Sequence, residues 1–354
     1  MGWLEAADVL EQAVADGAVP GAVLVAGVGS GPQRGVRAYG RSGRPDPGPG
    51  VPDGRMTTDT VFDLASLTKV VATLPGVLRL VDEGVLALDD PVGKHLPDFT
   101  GPGKDAVTLR HLLSHSSGLP DHRDFHLLPG GPRDRVAAVL AEPLVAAPGS
   151  TVCYSDLGFV LLGEIVAGAA GATLDRAAAE LVFEPLGMAS TRFLPPAEWR
   201  SRTAATEAPP GGAPKLGVVH DENAESLGGV AGHAGLFSTA ADVAAYLRNC
   251  WLAEDGPVLS RAIRAEALRC QTEHLNGRRG LGWTLRGDRW DHMSTAWPET
   301  GAGHTGFTGT SVAVDPVSGL WAVLLTNAVH LGRGRSGIIP LRRQVHDALA
   351  LGTM

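Results

Sequence analysis

The stretch Val61-Phe62-Asp63-Leu64-Ala65-Ser66-Leu67-Thr68-Lys69-Val70-Val71-Ala72-Thr73 sets a serine three residues before a lysine, at the head of an apolar run. Positions i and i+3 share a helix face, so a helix opening near Ser66 brings the Lys69 ammonium beside the Ser66 hydroxyl. A neutral hydroxyl is a weak nucleophile and needs a base or a pKa-lowering neighbour. Apolar neighbours such as Leu64 and Val70 would ease loss of the Lys69 proton, because burial disfavours the charged form. The helix N-terminus also offers the Ser66 backbone N–H to an oxyanion. An S-x-x-K string alone more often means a capping serine and a solvated lysine, so its surroundings decide its meaning.

Those surroundings are 354 residues long, enough for one large domain or two joined ones around a sizeable core. The 44% hydrophobic and 19% charged fractions are ordinary for a globular protein. A net charge of −8 and a pI near 5.8 argue against a nucleic-acid partner. No apolar run approaches the roughly 20 residues that span a bilayer, so no membrane partner is expected. Met1-Gly2-Trp3-Leu4-Glu5-Ala6 lacks the basic start and apolar core of a signal peptide, and Ala6 stands where myristoylation calls for Ser or Thr. Three widely spaced cysteines, Cys153, Cys250 and Cys270, imply no disulfide framework. A cytoplasmic protein with reduced thiols is the expectation.

Residues 3–17 repeat apolar positions at helical spacing and stop at Gly17 and Pro20. Ala22 to Val28 reads as a buried strand with Gly35–Gly40 as its hairpin partner, and residues 42–54 as a Gly/Pro-rich loop. Phe62 to Glu83 carries the S-x-x-K and a long helix, with a kink expected at Pro75. From Leu86 to about residue 200 the pattern is mostly helical, including a helix from a Thr108 cap to Gly118-Leu119-Pro120 and an apolar helix around Gly158-Phe159-Val160. Asp89-Asp90 reads as a helix cap. Ser311–Val314 and Leu320–Thr326 form a second hairpin, and Ile338 to Leu351 a terminal helix. The expected architecture is α/β (α+β): an antiparallel sheet flanked by helices, from residues 1–88 and 205–354, with an inserted all-α domain at 89–204 and the active site in the cleft between them.

Two further stretches carry chemistry. In Cys153-Tyr154-Ser155-Asp156, a tyrosine beside a lysine ammonium could act as a phenolate, taking the serine proton and returning it to a leaving group. In Gly303-His304-Thr305-Gly306-Phe307, small residues let a strand edge run close to a ligand, with backbone N–H groups free for an oxyanion.

Together Ser66-Leu67-Thr68-Lys69, Tyr154-Ser155-Asp156 and His304-Thr305-Gly306 resemble, in order and spacing, the S-x-x-K, S-D-N and K-T-G motifs of serine β-lactamases and penicillin-binding proteins. The nearest likeness is to class C β-lactamase-like serine hydrolases, a group with esterases, D-aminopeptidases and transacylases. Leu112 to Pro120 and Leu227 to Ala240 are similar to further stretches of that family, so the resemblance runs from about residue 3 to 350. It implies a β-lactamase-like fold, Ser66 as the acylated nucleophile, Lys69 holding or accepting its proton, and Tyr154 as general base and then acid. It also implies an oxyanion hole from the N–H groups of Ser66 and Phe307, substrate contacts from Asp156, His304, Thr305 and Gly306, and no cofactor or metal.

Asp156 replaces the asparagine of the pattern, so an amide donor becomes an acceptor that could pair with Lys69 and keep it protonated. His304 replaces a fixed lysine charge with a residue largely neutral at pH 7. Both changes lower the expectation of β-lactamase activity; esterase-like members also carry histidine there. The expected function is hydrolysis of a small ester, amide or D-peptide through an acyl-enzyme. Transfer to an amine or alcohol acceptor, and a non-catalytic acyl-ligand sensor or scaffold, are the alternatives. His111 and His115 sit at i, i+4 without the carboxylate partner of a zinc motif. His220, Asp221 and His233 read as structural groups beside the pocket, and Gly228, Gly229, Gly232 and Gly235 as tight turns or close packing.

Overall fold

The computed structural model describes residues 2–33, 35–43, 54–209, 211–334 and 337–352. Most of the expected loop at 42–54 lies outside them. The strands are β1 (Gly21–Val28), β2 (Gly35–Gly40), β3 (Val61–Asp63), β4 (Arg192–Phe193), β5 (Leu236–Thr239), β6 (Thr284–Leu285), β7 (Ala302–Thr305), β8 (Ser311–Val314) and β9 (Leu320–Thr326). Six form an antiparallel sheet in the order β2-β1-β9-β8-β7-β6; β3, β5 and β4 form a smaller one. Helices around an antiparallel sheet are the arrangement expected from the sequence.

Strands β1 and β9 are almost wholly apolar because both faces are covered. Side chains alternate across a strand. Val23 and Val25 of β1 therefore join Trp321, Val323 and Leu325 of β9 in the larger core. Ala22, Leu24 and Ala26 join Leu320, Ala322 and Leu324 in a second core on the other face. The helices Gly2–Ala15 and Ile338–Leu351 cover that second face with Leu10, Leu341, Val345 and Leu349. The larger core continues without a break into the helical section through Phe159, Leu162 and Ile165.

The buried helix Asp156–Ala170 begins at Ser155, whose hydroxyl accepts the Gly158 N–H, and ends on Gly171 at φ +63°. Gly163 faces Gly232: a Cβ on Gly232 would lie 1.9 Å from the Phe159 carbonyl oxygen, so only glycine lets the loop before β5 approach this helix. The serine–lysine stretch follows β3. Lys69–Thr73 winds as a π-helical turn before the α-helix Leu74–Asp82. Pro75 falls in the first turn of that α-helix, directly after the π-helical turn, so the departure from α geometry comes before the proline.

Three other expectations need correction. The Thr108-capped helix spans only Leu109–Leu113, since His115 adopts φ +56° and turns the chain. The section 89–204 is not all helical, because β4 pairs with β5. Asp90 caps no helix; its carboxylate takes Lys94 Nζ at 2.7 Å and His95 Nε2 at 2.9 Å, and Pro91 holds the cap position.

Candidate active site

The nucleophile arm is held at every residue. Ala65 sits at φ +47°, a conformation that costs a non-glycine residue energy and persists only where its surroundings enforce it. Here the buried Asp63 carboxylate accepts the Ala65 N–H at 2.8 Å and the His220 N–H at 2.6 Å. Thr308 Oγ1 donates to the Asp63 carbonyl at 2.7 Å and Thr310 Oγ1 to the Leu64 carbonyl at 3.0 Å, tying the turn after β7 to the serine arm. Gly306 is required at this junction: a Cβ there would lie 2.2 Å from Thr310 Oγ1 and 2.4 Å from the Leu64 carbonyl oxygen.

Lys69 is fully buried. Its Nζ donates to Ser66 Oγ at 3.0 Å, Asp156 Oδ1 at 2.7 Å and the His233 carbonyl at 3.1 Å. An ammonium has three hydrogens and no lone pair, so three acceptors saturate its protonated form. Burial alone would push the Lys69 pKa down, but the Asp156 charge and the Tyr154 phenol outweigh it and hold the ammonium above its usual range. The expectation that burial would ease proton loss is thus reversed, and the pairing with Asp156 is what the structure contains. Burial would raise the Asp156 carboxyl, yet Lys69 and His122 hold it far below the carboxylate range. The hydrogen bond to Asp156 in turn raises His122 to about 9.

Tyr154 lies across from this pair, with Lys69 Nζ 4.9 Å from its ring centroid. The His115 ring stands 4.6 Å from it, and the backbone around Tyr154 is braced on His115: Ser155 N–H donates to His115 Nδ1 at 3.1 Å and Cys153 N–H to its carbonyl at 2.9 Å. His304 lies 5.9 Å from the Tyr154 ring. Its Nδ1 meets the Thr305 carbonyl at 2.9 Å, and a carbonyl only accepts, so Nδ1 carries the proton and Nε2 a lone pair. Burial, with Lys69 and Arg279 nearby, pushes His304 down to about 3, so it is neutral at physiological pH.

Ser66, Tyr154, His304, Thr305, Gly306 and Phe307 line one cavity of about 700 Å³. Among the described residues, the N–H groups of Ser66 and Phe307 donate to no protein acceptor. Asp156, expected at the substrate, does not line this cavity; Lys69 and His122 take up its two oxygens.

The β-lactamase family model matches residues 6–347. The chain belongs to that family. It is therefore a serine hydrolase or acyltransferase of the β-lactamase type. An Escherichia coli K12 relative named "Putative D-alanyl-D-alanine carboxypeptidase" is 34% identical over 317 residues, 78% of this chain and 71% of that protein. Two solved structures share the fold. EstCE1, described as a hydrolase with promiscuous acyltransferase activity, superposes with a TM-score of 0.77 at 24% identity over 99% of this chain and 98% of its own. A class C β-lactamase from Rhodobacter sphaeroides does so at 0.75 and 21% identity, over 99% of each chain.

For a β-lactamase-family site, the cavity holds cations that motif reading missed. Arg279, Arg289, Arg333, Arg342 and Arg343 line it with one carboxylate, Asp291, which serves Arg286 and two backbone N–H groups; Arg333 is paired outside the lining with Glu207 and Glu222. Arg279 is 2% exposed, donates to Thr284 Oγ1 at 2.5 Å and lies 3.4 Å from Asp288 Oδ1. No spacing rule marks these arginines, since an arginine in a polar stretch normally reads as solvated surface. His233 also contributes more than loop structure, because its carbonyl is one of the three Lys69 acceptors and its ring pairs with Asp221 at 2.9 Å. His111 and His115 serve separate ends of their helix, His111 in the Thr108 capping box and His115 beneath Tyr154.

Proposed function

We propose that the protein hydrolyses a carboxylate-bearing ester or amide, the D-alanyl-D-alanine type of peptide being the leading candidate, through an acyl-enzyme on Ser66. The observation that carries this reading is the Ser66–Lys69–Asp156 chain, with a saturated ammonium facing the serine hydroxyl. Because Lys69 has no lone pair to receive a proton, Tyr154 is the base. As a phenolate beside the Lys69 ammonium, it takes the Ser66 hydroxyl proton as Oγ bonds the acyl carbon. The N–H groups of Ser66 and Phe307 hold the oxyanion, each donor worth about 3–4 kcal/mol in enzymes of this chemistry. Collapse breaks the bond to the leaving group, which receives the proton from Tyr154. Water then bonds the acyl carbon as Tyr154 takes its proton, the bond to Ser66 Oγ breaks, and Tyr154 returns the proton to Oγ as the acid leaves.

The guanidinium groups of Arg279, Arg289 and Arg343 in the cavity wall support a substrate carboxylate, which arginine recognises in bidentate fashion. The name of the Escherichia coli relative points to the same substrate class. Neutral His304 in place of a lysine supports weak or absent β-lactamase activity. A second reading, transfer of the acyl group to an amine or alcohol, draws on the acyltransferase activity described for EstCE1. Intact-mass analysis after fluorophosphonate treatment, with Ser66→Ala as control, tests the acyl-enzyme. An adduct confined to Ser66 supports it, and a folded wild type that stays unlabelled overturns it. Release of D-alanine from a D-alanyl-D-alanine peptide, with and without added amine, then separates hydrolysis from transfer.

A further inference from the structure

Arg342 belongs to the C-terminal helix Ile338–Leu351, is 7% exposed and has no carboxylate within ion-pair distance among the described residues. A buried guanidinium without a counter-ion is costly, and burial pushes its pKa down to about 10, which still leaves it charged near neutrality. Its Nη2 donates to two carbonyls, Gly306 at 3.0 Å and Thr310 at 2.8 Å. The same turn closes on itself, with Gly306 N–H to the Thr310 carbonyl at 2.8 Å and Gly309 N–H to the Gly306 carbonyl at 3.1 Å.

The Gly306 carbonyl shares a peptide plane with the Phe307 N–H. A trans peptide is planar and its C=O and N–H point in opposite directions, so anchoring the oxygen fixes the line along which the N–H points. That N–H is without a protein acceptor among the described residues. A cation on the oxygen also polarises the peptide and strengthens its N–H as a donor. We infer that Arg342 is a positioning residue for the oxyanion hole: it clamps and polarises the Gly306–Phe307 peptide from behind, and its buried charge favours the negative oxygen that develops in front. This rests on the acyl-enzyme reading of Ser66. It also accounts for a guanidinium buried in the absence of a carboxylate, since the charge is complemented only in the transition state.

The test uses the full chain, a neutral p-nitrophenyl ester, and phenylboronic acid, which adds to the serine oxygen and places a tetrahedral oxygen in the hole. Arg342→Met is expected to lower kcat per titrated active site by roughly 10- to 100-fold, leave KM within about threefold, and weaken phenylboronate binding by a factor similar to the loss in kcat. Arg342→Lys, which keeps the charge but not the fork that reaches both carbonyls, falls between. Methylguanidinium restores part of the rate to Arg342→Ala. A merely structural role would lower thermal stability and the fraction of active sites while sparing the rate per site and the boronate affinity. Rate per site and boronate affinity within twofold of wild type in the folded variants overturn the inference, and leave the acyl-enzyme standing if fluorophosphonate still labels Ser66. A wild type that fails to label overturns both.

Discussion

Lys69 and Asp156, 87 residues apart in sequence, meet at 2.7 Å with the lysine wholly buried. The pair keeps an ammonium against the serine hydroxyl. Replacing the carboxylate by an amide therefore tests its charge without emptying its place. In Asp156→Asn the desolvation of Lys69 is opposed by Tyr154 without the Asp156 charge, and its pKa falls. Activity that needs the ammonium is then lost at lower pH, so the alkaline limb of the kcat/KM profile should move down by about one unit or more. Asp156→Ala, which strands a buried cation, should cost about 3–5 kcal/mol in urea unfolding.

His122 reports on the same carboxylate from the solvent side, at 3.4 Å from Asp156 Oδ2. Its folded pKa of about 9 lies above the ordinary 6.5. A raised folded pKa means stability that is full below the unfolded value and lost as pH rises through the folded one. The Tm difference between wild type and His122→Ala should be largest below pH 6.5 and disappear above about pH 9, as read in a pH series of thermal melts.

Gly306→Ala drives a methyl group into Thr310 Oγ1 and the Leu64 carbonyl, neither of which is the free end of a flexible chain. We expect a stability loss of about 1–3 kcal/mol from overpacking. Because those atoms bind the turn to the serine arm, kcat should drop by about 100-fold, as for loss of one oxyanion donor. Paired unfolding and steady-state measurements check both.

Arg279→Met removes a buried guanidinium from the cavity wall. With a D-alanyl-D-alanine peptide, whose carboxylate it would meet, KM should rise by about tenfold or more, the worth of a hydrogen bond to a charged group. With a neutral p-nitrophenyl ester KM should move by less than about threefold. Equal losses on the two substrates would remove Arg279 from substrate recognition.

Much of this was legible in the primary structure, for identifiable reasons. Gly21–Val28 and Leu320–Thr326 read as continuous apolar runs because both their faces are buried, and Ile338–Leu351 shows a helical period because it buries one face. Ser66, Tyr154 and His304 stand in motifs whose order is preserved, and the cavity gathers all three. What escaped depends on contacts between distant segments. The protonation of Lys69 follows from three acceptors contributed by positions 66, 156 and 233. Arg279 and Arg342 carry no local mark of burial, and two-residue β4 is too short for any period to register.

The pairing of Ala22 with Thr326 has a consequence for the nascent protein. Until Leu320–Thr326 leaves the ribosome, Gly21–Val28 has only its hairpin partner and presents an uncovered apolar edge while the intervening chain is made. Contacts of such long sequence separation form late, and unpaired strand edges invite intermolecular association. Heterologous production should therefore be limited by protection of this waiting strand, through slower translation or a holding chaperone, more than by the stability of the finished sheet.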